Sequence, residues 1–289
     1  MYKVGIIGNG FVGSAIASGF ALHADVRVYD ADPKKTINSF EEVMECEYVF
    51  IAVPTPMNLD NNNKIDLSII RNVFDRIYAY KYEKDRSTKN IFILKSTVLP
   101  KTTSQLAQDY PTLNIVFNPE FLTERSARLD FINASRIVIG GKPEICKRVT
   151  KLYRERFPHT QIIVTDSTSA EFIKYMCNCF FATKISYMNE MRQVSDKLNL
   201  DWKNITEGFL SDGRIGNSHI DVPGHDGFRG FGGKCFPKDV NAFINFFKET
   251  NTKPLVLSAA WKKNIEVREE NDWEKIEGAT SKGEKNDRD

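Results

Sequence analysis

Short runs of consecutive apolar residues recur through the first half of the chain and alternate with longer stretches of helical periodicity. Val and Ile dominate the short runs, which is typical of strands that are covered on both faces. Strands and helices that alternate in this way form right-handed crossovers and a mostly parallel sheet. We therefore predict an α/β fold whose sheet is doubly wound and of the Rossmann type. The predicted strands are residues 2–8, 26–30, 48–53, 91–95, 114–118, 136–141 and 161–165.

Helices replace this alternation in the second half of the chain. Residues 166–200 contain neither Gly nor Pro and keep a helical spacing of apolar residues over about nine turns. Thr168 and Glu171 predict a capping box at the start of this long central helix. Two further helices are expected from Pro237 and Pro254, because proline is favoured in the first turn of a helix.

The pattern divides the chain into three predicted regions. Residues 1–166 form the sheet domain, and residues 167–273 form an all-helical central domain. Residues 274–289 are charged and poor in apolar residues, so we predict a disordered tail.

Composition narrows the class of protein. With 289 residues, 41% of them hydrophobic, the chain can bury a sizeable core, and its 40 basic and 38 acidic residues give no reason to expect nucleic acid or an anionic membrane as partner. The four histidines are far apart, so no metal site is expected. The sequence has five cysteines without a CxxC pair, no leader pattern and no apolar run that approaches about 18 residues. These features predict a soluble, cytoplasmic protein.

A glycine motif follows the first predicted strand. Gly8, Gly10 and Gly13 have the G-x-G-x-x-G spacing, and the second predicted strand ends at Asp30. This arrangement predicts a dinucleotide whose pyrophosphate lies at a helix N-terminus and whose ribose hydroxyls bind the carboxylate. Since Asp30 would repel a 2′-phosphate, NAD is favoured over NADP. The alternative is a glycine turn that binds no nucleotide.

Cys235 lies in the glycine-rich stretch GFRGFGGKCFPKDV, residues 227–240, just before a predicted helix. Lowering the pKa of a thiol from about 8.5 to about 7 requires roughly 2 kcal/mol, and a helix N-terminus supplies only about 0.3–1 kcal/mol. A nearby cation is therefore needed for a reactive thiolate, and Lys238 and Lys174 are candidates. The alternative is a buried, inert cysteine. We accept that alternative for Cys46, Cys146, Cys177 and Cys179.

Lys174 and Asn178 are four residues apart on the long central helix and so share one face. An ammonium and an amide on one face could stabilise an oxyanion, the charge that develops when a thiolate attacks a carbonyl. A solvated helix face is the alternative.

Seven ordered motifs between residues 4 and about 265 resemble the UDP-glucose/GDP-mannose dehydrogenase family. They are GIIGNGFVG, FIAVPTP, LKSTVLPKTT, FNPEFLTE, EFIKYMCNCFFATKISYMNE, DGRIG and GFGGKCFPKDV. The resemblance implies that residues 1–166 bind NAD and that the protein oxidises the C6 alcohol of a nucleotide sugar, with UDP-glucose expected, to a carboxylate with two NAD. It also implies a thiohemiacetal and a thioester on Cys235.

The resemblance also implies roles for individual site residues, some of which the spacing had already indicated. In the catalytic set, Lys174 and Asn178 stabilise the oxyanion, Asp239 and Thr97 organise a water and proton transfer, and Glu120 assists hydrolysis as a base. The implied NAD contacts are Gly8, Gly10, Phe11, Val12, Gly13, Asp30, Lys35, Thr55, Thr97, Glu124 and Lys238. The implied substrate contacts are Glu120, Phe121, Leu122, Glu124, Lys174, Asn178, Arg214, Phe231, Gly232 and Gly233.

Several of these residues have simpler explanations. Thr97 could cap a helix, and Glu120 and Glu124 could form one solvated helical face. Asp239 could be an ordinary acidic residue in the first turn of a helix. Lys35 could be a solvated surface lysine.

The family continues into a second nucleotide-binding-like domain that encloses UDP, and we expect this sequence to lack that domain. Three alternatives are open: a separate polypeptide supplies it, a dimer rebuilds the site, or the chain binds NAD without efficient turnover. We expect a homodimer through the long central helix, with burial inside one subunit as the alternative. Two functions remain open: an active NAD-dependent nucleotide-sugar dehydrogenase, and a non-catalytic or incomplete NAD-binding subunit that needs a partner chain.

Overall fold

The computed structural model describes residues 1–83 and 89–281 and contains two compact units. The first unit comprises residues 1–55 and 66–174, and the second comprises residues 56–65 and the chain from Tyr175 onward. The predicted boundary at residue 166 differs from this division, because Ala170 and Ile173 pack into the core of the first unit.

The predicted strands are present in the predicted order, together with short strands that the sequence did not predict. The strands are β1 (Tyr2–Ile7), β2 (Ala24–Tyr29), β3 (Tyr48–Ile51), β4 (Met57–Asn58), β5 (Lys64–Ile65), β6 (Ile91–Leu94), β7 (Asn114–Phe117), β8 (Arg136–Gly140), β9 (Gln161–Thr165) and β10 (Thr280–Ser281). The helices are α1 (Phe11–Phe20), α2 (Phe40–Met44), α3 (Ser68–Glu83), α4 (Thr102–Asp109), α5 (Ala127–Ile132), α6 (Pro143–Arg156), α7 (Ser167–Lys197), α8 (Trp202–Leu210), α9 (Phe236–Glu249) and α10 (Leu255–Val267).

The first unit is built on a sheet with the strand order β2-β1-β3-β6-β7-β8-β9. Its neighbouring strands pair in parallel, except for an antiparallel contact between β7 and β8. Alternate residues of β6 point to opposite faces: Ile91 and Ile93 join one core cluster, and Phe92 and Leu94 join the other. Both faces are therefore covered, and the predicted α/β fold with a doubly wound sheet is confirmed.

The predicted capping box at the start of α7 is wrong. Asp166 caps this helix, since its carboxylate accepts from the amide and the hydroxyl of Ser169. Glu171 is fully buried and accepts instead from the amides of Lys101 and Thr103 at the start of α4, each at 2.7 Å. Lys101 has a φ of +79°, a conformation that favours glycine.

Helix α7 buries one face and exposes another. Five large side chains are at least half exposed and recur at intervals of four or seven residues, which places them within about 40° around the helix axis. We call them the α7 stripe: Met176, Phe180, Tyr187 and Val194 on α7, and Leu198 directly after its last residue. Despite its 31 residues, α7 carries several charges, and within residues 1–83 and 89–281 no helix has the length and apolar character to span a membrane.

The second unit contains a small sheet that the sequence did not predict. Its strand order is β10-β4-β5, and Met57 packs with Trp273 and Ala279 beneath it. Because β10 pairs with β4, the predicted disorder is wrong for residues 274–281. The remainder of the predicted tail, residues 282–289, lies outside the described residues.

Candidate functional site

Gly8 and Gly13 shape the turn between β1 and α1. Gly8 has a φ of +96°, and a Cβ on Gly13 would lie 1.8 Å from the carbonyl oxygen of Gly8. The backbone can therefore make this close turn only with glycine at both positions. Gly10 precedes α1 without a side-chain cap, and a Cβ there would meet nothing within 4 Å. The amides at the start of α1, which include those of Phe11 and Val12, can therefore be approached by a phosphate.

Asp30 follows β2 and organises the same edge of the sheet. Its Oδ2 accepts from the Asn9 amide at 2.6 Å, and its Oδ1 accepts from the Asp32 amide at 2.8 Å. Each carboxylate oxygen keeps a lone pair for a ribose hydroxyl. Lys35 is exposed and lies 3.6 Å from the carboxylate of Asp32. The glycine turn and Asp30 fit NAD.

Thr55 and Thr97 lie in the loops that follow the adjacent strands β3 and β6. The Thr55 hydroxyl donates to the carbonyl of Thr97 at 2.9 Å, and the Ser96 hydroxyl donates to the carbonyl of Val53 at 2.6 Å. These bonds join the two loops at the edge of the sheet that carries the glycine turn. Ser96 was missed by the sequence analysis, although it precedes Thr97 in the matched motif.

Glu120 is buried and paired, so its interpretation as part of a solvated face is wrong. Lys174 donates to Glu120 Oε1 at 2.8 Å and to the Glu120 carbonyl at 2.6 Å, while the Leu122 amide donates to Oε2 at 2.7 Å. Burial by itself would raise the pKa of Glu120, but Lys174, this amide and Lys95 outweigh burial and hold the pKa below its usual value. Glu124 is exposed, in the turn after Phe121 and Leu122.

Asp239 is the centre of a buried cluster in the second unit. It lies in the first turn of α9 with 1% exposure, where Asn178 Nδ2 donates to Oδ2 at 2.6 Å and Lys238 Nζ donates to Oδ1. An acidic residue that only interacts with the helix dipole needs neither burial nor these two partners. The alternative of an ordinary first-turn acidic residue therefore does not account for Asp239. Cys235 is half-buried and immediately precedes α9, and its carbonyl accepts from the Asp239 amide at 2.9 Å.

Three other cysteines have the environment of inert thiols. Burial raises the pKa of Cys46 and of Cys146 to about 11. Burial also raises the pKa of Cys179 well above its usual value. A thiol in such a setting stays protonated near neutral pH and is a poor nucleophile.

The glycine-rich loop before Cys235 is anchored by residues that the sequence analysis missed. Asn264 accepts from the Phe231 amide at 2.6 Å and donates to the Phe231 carbonyl at 3.0 Å, and the Phe231 side chain is buried. Asp272 accepts from the amide of Gly233, and a Cβ on Gly232 would lie 2.2 Å from the same carboxylate. Side-chain amides that serve a distant backbone have no local sequence signal.

Arg214 lies apart from that anchor. Its side chain is 90% exposed, and its guanidinium binds both carboxylate oxygens of Asp212. Within the described residues no group of three or more His, Cys, Asp or Glu side chains is placed to hold a metal ion.

Comparison with known protein families gives one match in each half of the chain. Residues 35–157 match the NAD binding domain of the UDP-glucose/GDP-mannose dehydrogenase family, and residues 168–266 match the central domain of the same family. The chain belongs to this family. Its first half is thus the NAD-binding domain, as the glycine motif and Asp30 predicted.

Individual relatives extend this similarity. The chain is 34% identical to UDP-glucose 6-dehydrogenase of Rickettsia bellii over 232 residues, which are 78% of this chain and 51% of the relative. It is 31% identical to that of Rickettsia conorii and covers 53% of it, so the chain spans about half the length of these curated relatives. The structure of a UDP-glucose dehydrogenase from Pyrobaculum islandicum aligns with a TM-score of 0.80 at 28% identity, over 92% of this chain and 68% of that one.

Proposed function

We propose that the chain is the NAD-binding and catalytic part of a dehydrogenase that oxidises the C6 alcohol of UDP-glucose to a carboxylate, with two NAD per sugar. Its family and its similarity to proteins named UDP-glucose 6-dehydrogenase support this proposal. The observation that carries it is the buried contact of Asp239 with Asn178 and Lys238, one turn after Cys235.

Cys235 is the proposed nucleophile. After the alcohol is oxidised to an aldehyde, the Cys235 thiolate adds to the aldehyde carbon and forms a thiohemiacetal. Loss of a hydride from that carbon and of the hydroxyl proton leaves a thioester, which water cleaves to the carboxylate, a proton and the Cys235 thiol. NAD, when bound, accepts the hydride in each oxidation. A cysteine suits this sequence because it can hold the acyl group between the second oxidation and hydrolysis.

Asn178 is the proposed oxyanion donor in the second unit. Asn178 uses one N–H of its NH2 group to donate to Asp239 Oδ2, and its second N–H can donate to an oxyanion. Lys174 lies one turn earlier on the same helix face and is the proposed second donor. Asp239 and Thr97 are proposed to organise the water and the proton transfer.

Glu120 is the proposed base for hydrolysis of the thioester. Its lowered pKa keeps it ionised near neutral pH, as a base must be. The other implied contacts remain proposals of the same kind. They are the NAD contacts at Asp30, Lys35, Thr55, Glu124 and Lys238, and the substrate contacts at Phe121, Leu122, Arg214, Phe231, Gly232 and Gly233.

A second copy of this chain is the proposed partner of the α7 stripe. Its five side chains lie on one face over about 33 Å, at about 1.5 Å per residue. Exposed apolar surface of this extent is typical of an interaction site. A self-complementary helix pair would bury it in a two-fold dimer.

NADH formation from UDP-glucose tests the proposed activity. The parent should form two NADH per UDP-glucose, and Cys235→Ser should lower turnover by more than about 10³-fold, because the nucleophile acts together with its supporting groups. Cys177→Ser, a cysteine on α7 without a proposed role, is the matched control and should keep parental turnover.

Other outcomes would count against the proposal in different ways. Full conversion by Cys235→Ser would exclude the thioester on that residue. Binding of NAD by the parent, measured by calorimetry, without any NADH from UDP-glucose would favour the non-catalytic or incomplete NAD-binding subunit.

A further inference from the structure

Lys95 is a buried cation that neither the sequence analysis nor the proposed reaction uses. It follows β6 with 4% exposure, and its Nζ donates to Asn118 Oδ1 at 3.0 Å and to the Pro119 carbonyl at 3.2 Å. In the part of the chain that the structure describes, no carboxylate lies within ion-pair distance of this amine. An ammonium that is buried without a counterion is unfavourable, so Lys95 needs an explanation.

The two bonds of Lys95 hold the turn that leads to Glu120. Asn118 is the centre of this turn: its Oδ1 also accepts from the Tyr153 hydroxyl, and its Nδ2 donates to the Val138 carbonyl. Pro119 joins Asn118 directly to Glu120. Displacement of the Lys95 amine would therefore release one side of the segment that presents Glu120 to Lys174.

The geometry suits a lysine that changes its charge. A neutral amine has two N–H groups, and Asn118 Oδ1 and the Pro119 carbonyl are two acceptors, so both bonds survive loss of the third proton. Burial lowers the pKa of Lys95 to about 7, with Glu120 opposing burial and Lys174 adding to it. Both forms of the amine are thus populated near neutral pH.

Other charged groups face the same region. A cavity of about 290 Å³ lies beyond β7 and is lined by Lys95 and by residues of the turn, α5, β8 and α6. Its titratable groups and those of α7 nearby are Glu120, Asp130, Arg136, Tyr153 and Lys174. Among them, Glu120 and Lys174 act on the charge of Lys95.

We propose that Lys95 is a positioning residue for Glu120: it holds the turn that carries this carboxylate, and its charge tunes the carboxylate's basicity. Charged Lys95 lowers the proton affinity of Glu120, and neutral Lys95 restores it. Glu120 therefore becomes a stronger base as Lys95 loses its proton, without movement of the turn. The effect on turnover rests on the proposed function, whereas the titration of Lys95 does not.

The titration can be measured without activity, by NMR of the full chain labelled with ε-¹³C lysine. The signal that disappears in Lys95→Met should titrate near about pH 7 in the parent, and Glu120→Gln should move its midpoint to lower pH by removing a negative neighbour. Lys151→Met, at an exposed position of α6, should remove a different signal and leave this titration in place. A Lys95 signal that does not titrate below about pH 9 would overturn the proposal, whether or not the chain forms NADH.

The second readout is the pH profile of kcat with UDP-glucose. Lys95→Arg keeps a positive charge at every working pH, so the ionisation near neutral pH should vanish from its profile. Lys95→Met removes both hydrogen bonds and the charge, and its kcat should fall by about tenfold or more. If Lys95→Arg shows the parental profile, Lys95 does not tune Glu120. If the parent forms no NADH while Lys95 titrates as expected, the proposed function fails and the assignment of Lys95 as a charge-changing support of the turn stands.

Discussion

Replacing Glu171 by Gln removes a buried negative charge and nearly preserves the shape of the side chain. The carboxylate lies at the start of α4, where it accepts from the amides of Lys101 and Thr103 at 2.7 Å. Burial raises the pKa of Glu171 from 4.5 to about 7, and these amides oppose burial only in part. The folded protein therefore keeps a proton on Glu171 at pH values where the unfolded chain has released it.

This difference makes the free energy of unfolding depend on pH. Between about pH 4.5 and about pH 7 the unfolded chain binds fewer protons at Glu171 than the folded protein does, so stability falls as the pH rises. The difference between the two pKa values corresponds to about 3 kcal/mol. Both oxygens of a protonated Glu can still accept, whereas the NH2 group of Gln cannot, so one of the two backbone amides loses its acceptor in the variant. Near about pH 4, Glu171→Gln should therefore be less stable than the parent by about 1–3 kcal/mol. Between about pH 4 and about pH 8, the stability of Glu171→Gln relative to the parent should rise by about 3 kcal/mol.

Urea unfolding of both proteins across this pH range measures the effect. Far-UV circular dichroism is the appropriate signal, because the three tryptophans all lie in the second unit and Glu171 lies in the first. Glu155→Gln, at an exposed position of α6, controls for the loss of one carboxylate. If the stability difference between Glu171→Gln and the parent is the same at about pH 4 and about pH 8, the folded protein does not retain a proton on Glu171 in this range, and the reasoning is wrong.

Two further predictions concern the glycine turn and the α7 stripe. Gly13→Ala forces α1 away from β1, so NAD affinity, measured by calorimetry, should fall by at least about tenfold. Gly208→Ala is the control, because a Cβ on this α8 residue would meet nothing within 4 Å. It should leave NAD affinity unchanged and add up to about 1 kcal/mol of stability. Parental NAD affinity in Gly13→Ala would contradict the role of this turn. Phe180→Glu should dissociate the dimer in sedimentation experiments, with Asn204→Glu on α8 as a charge-matched control; a parent that is monomeric at all concentrations would refute the dimer.

Local chemistry made parts of the site predictable. The dinucleotide-binding motif needs only about 30 consecutive residues, which include Gly8, Gly10, Gly13 and Asp30. In the structure, the glycines form the turn after β1, and Asp30 lies beside that turn. Glu120 was identified only through a motif that resembles the family. Its neighbours in sequence were equally compatible with a solvated helical face. Lys95, Asn264 and Asp272 were missed, since each acts on backbone or side chains far away in the chain.

The sequence by itself determined the strands, the long helix and the dinucleotide turn, because apolar periodicity and glycine spacing act over a few residues. Only the tertiary structure decided which polar groups are buried together. Lys174 meets Glu120 across 54 residues of chain, and Asn178 meets Asp239 across 61. Tertiary contacts also decided that residues 274–281 are ordered, because β10 finds its partner in β4. Pairing of this kind depends on how distant segments pack, and no local pattern encodes it.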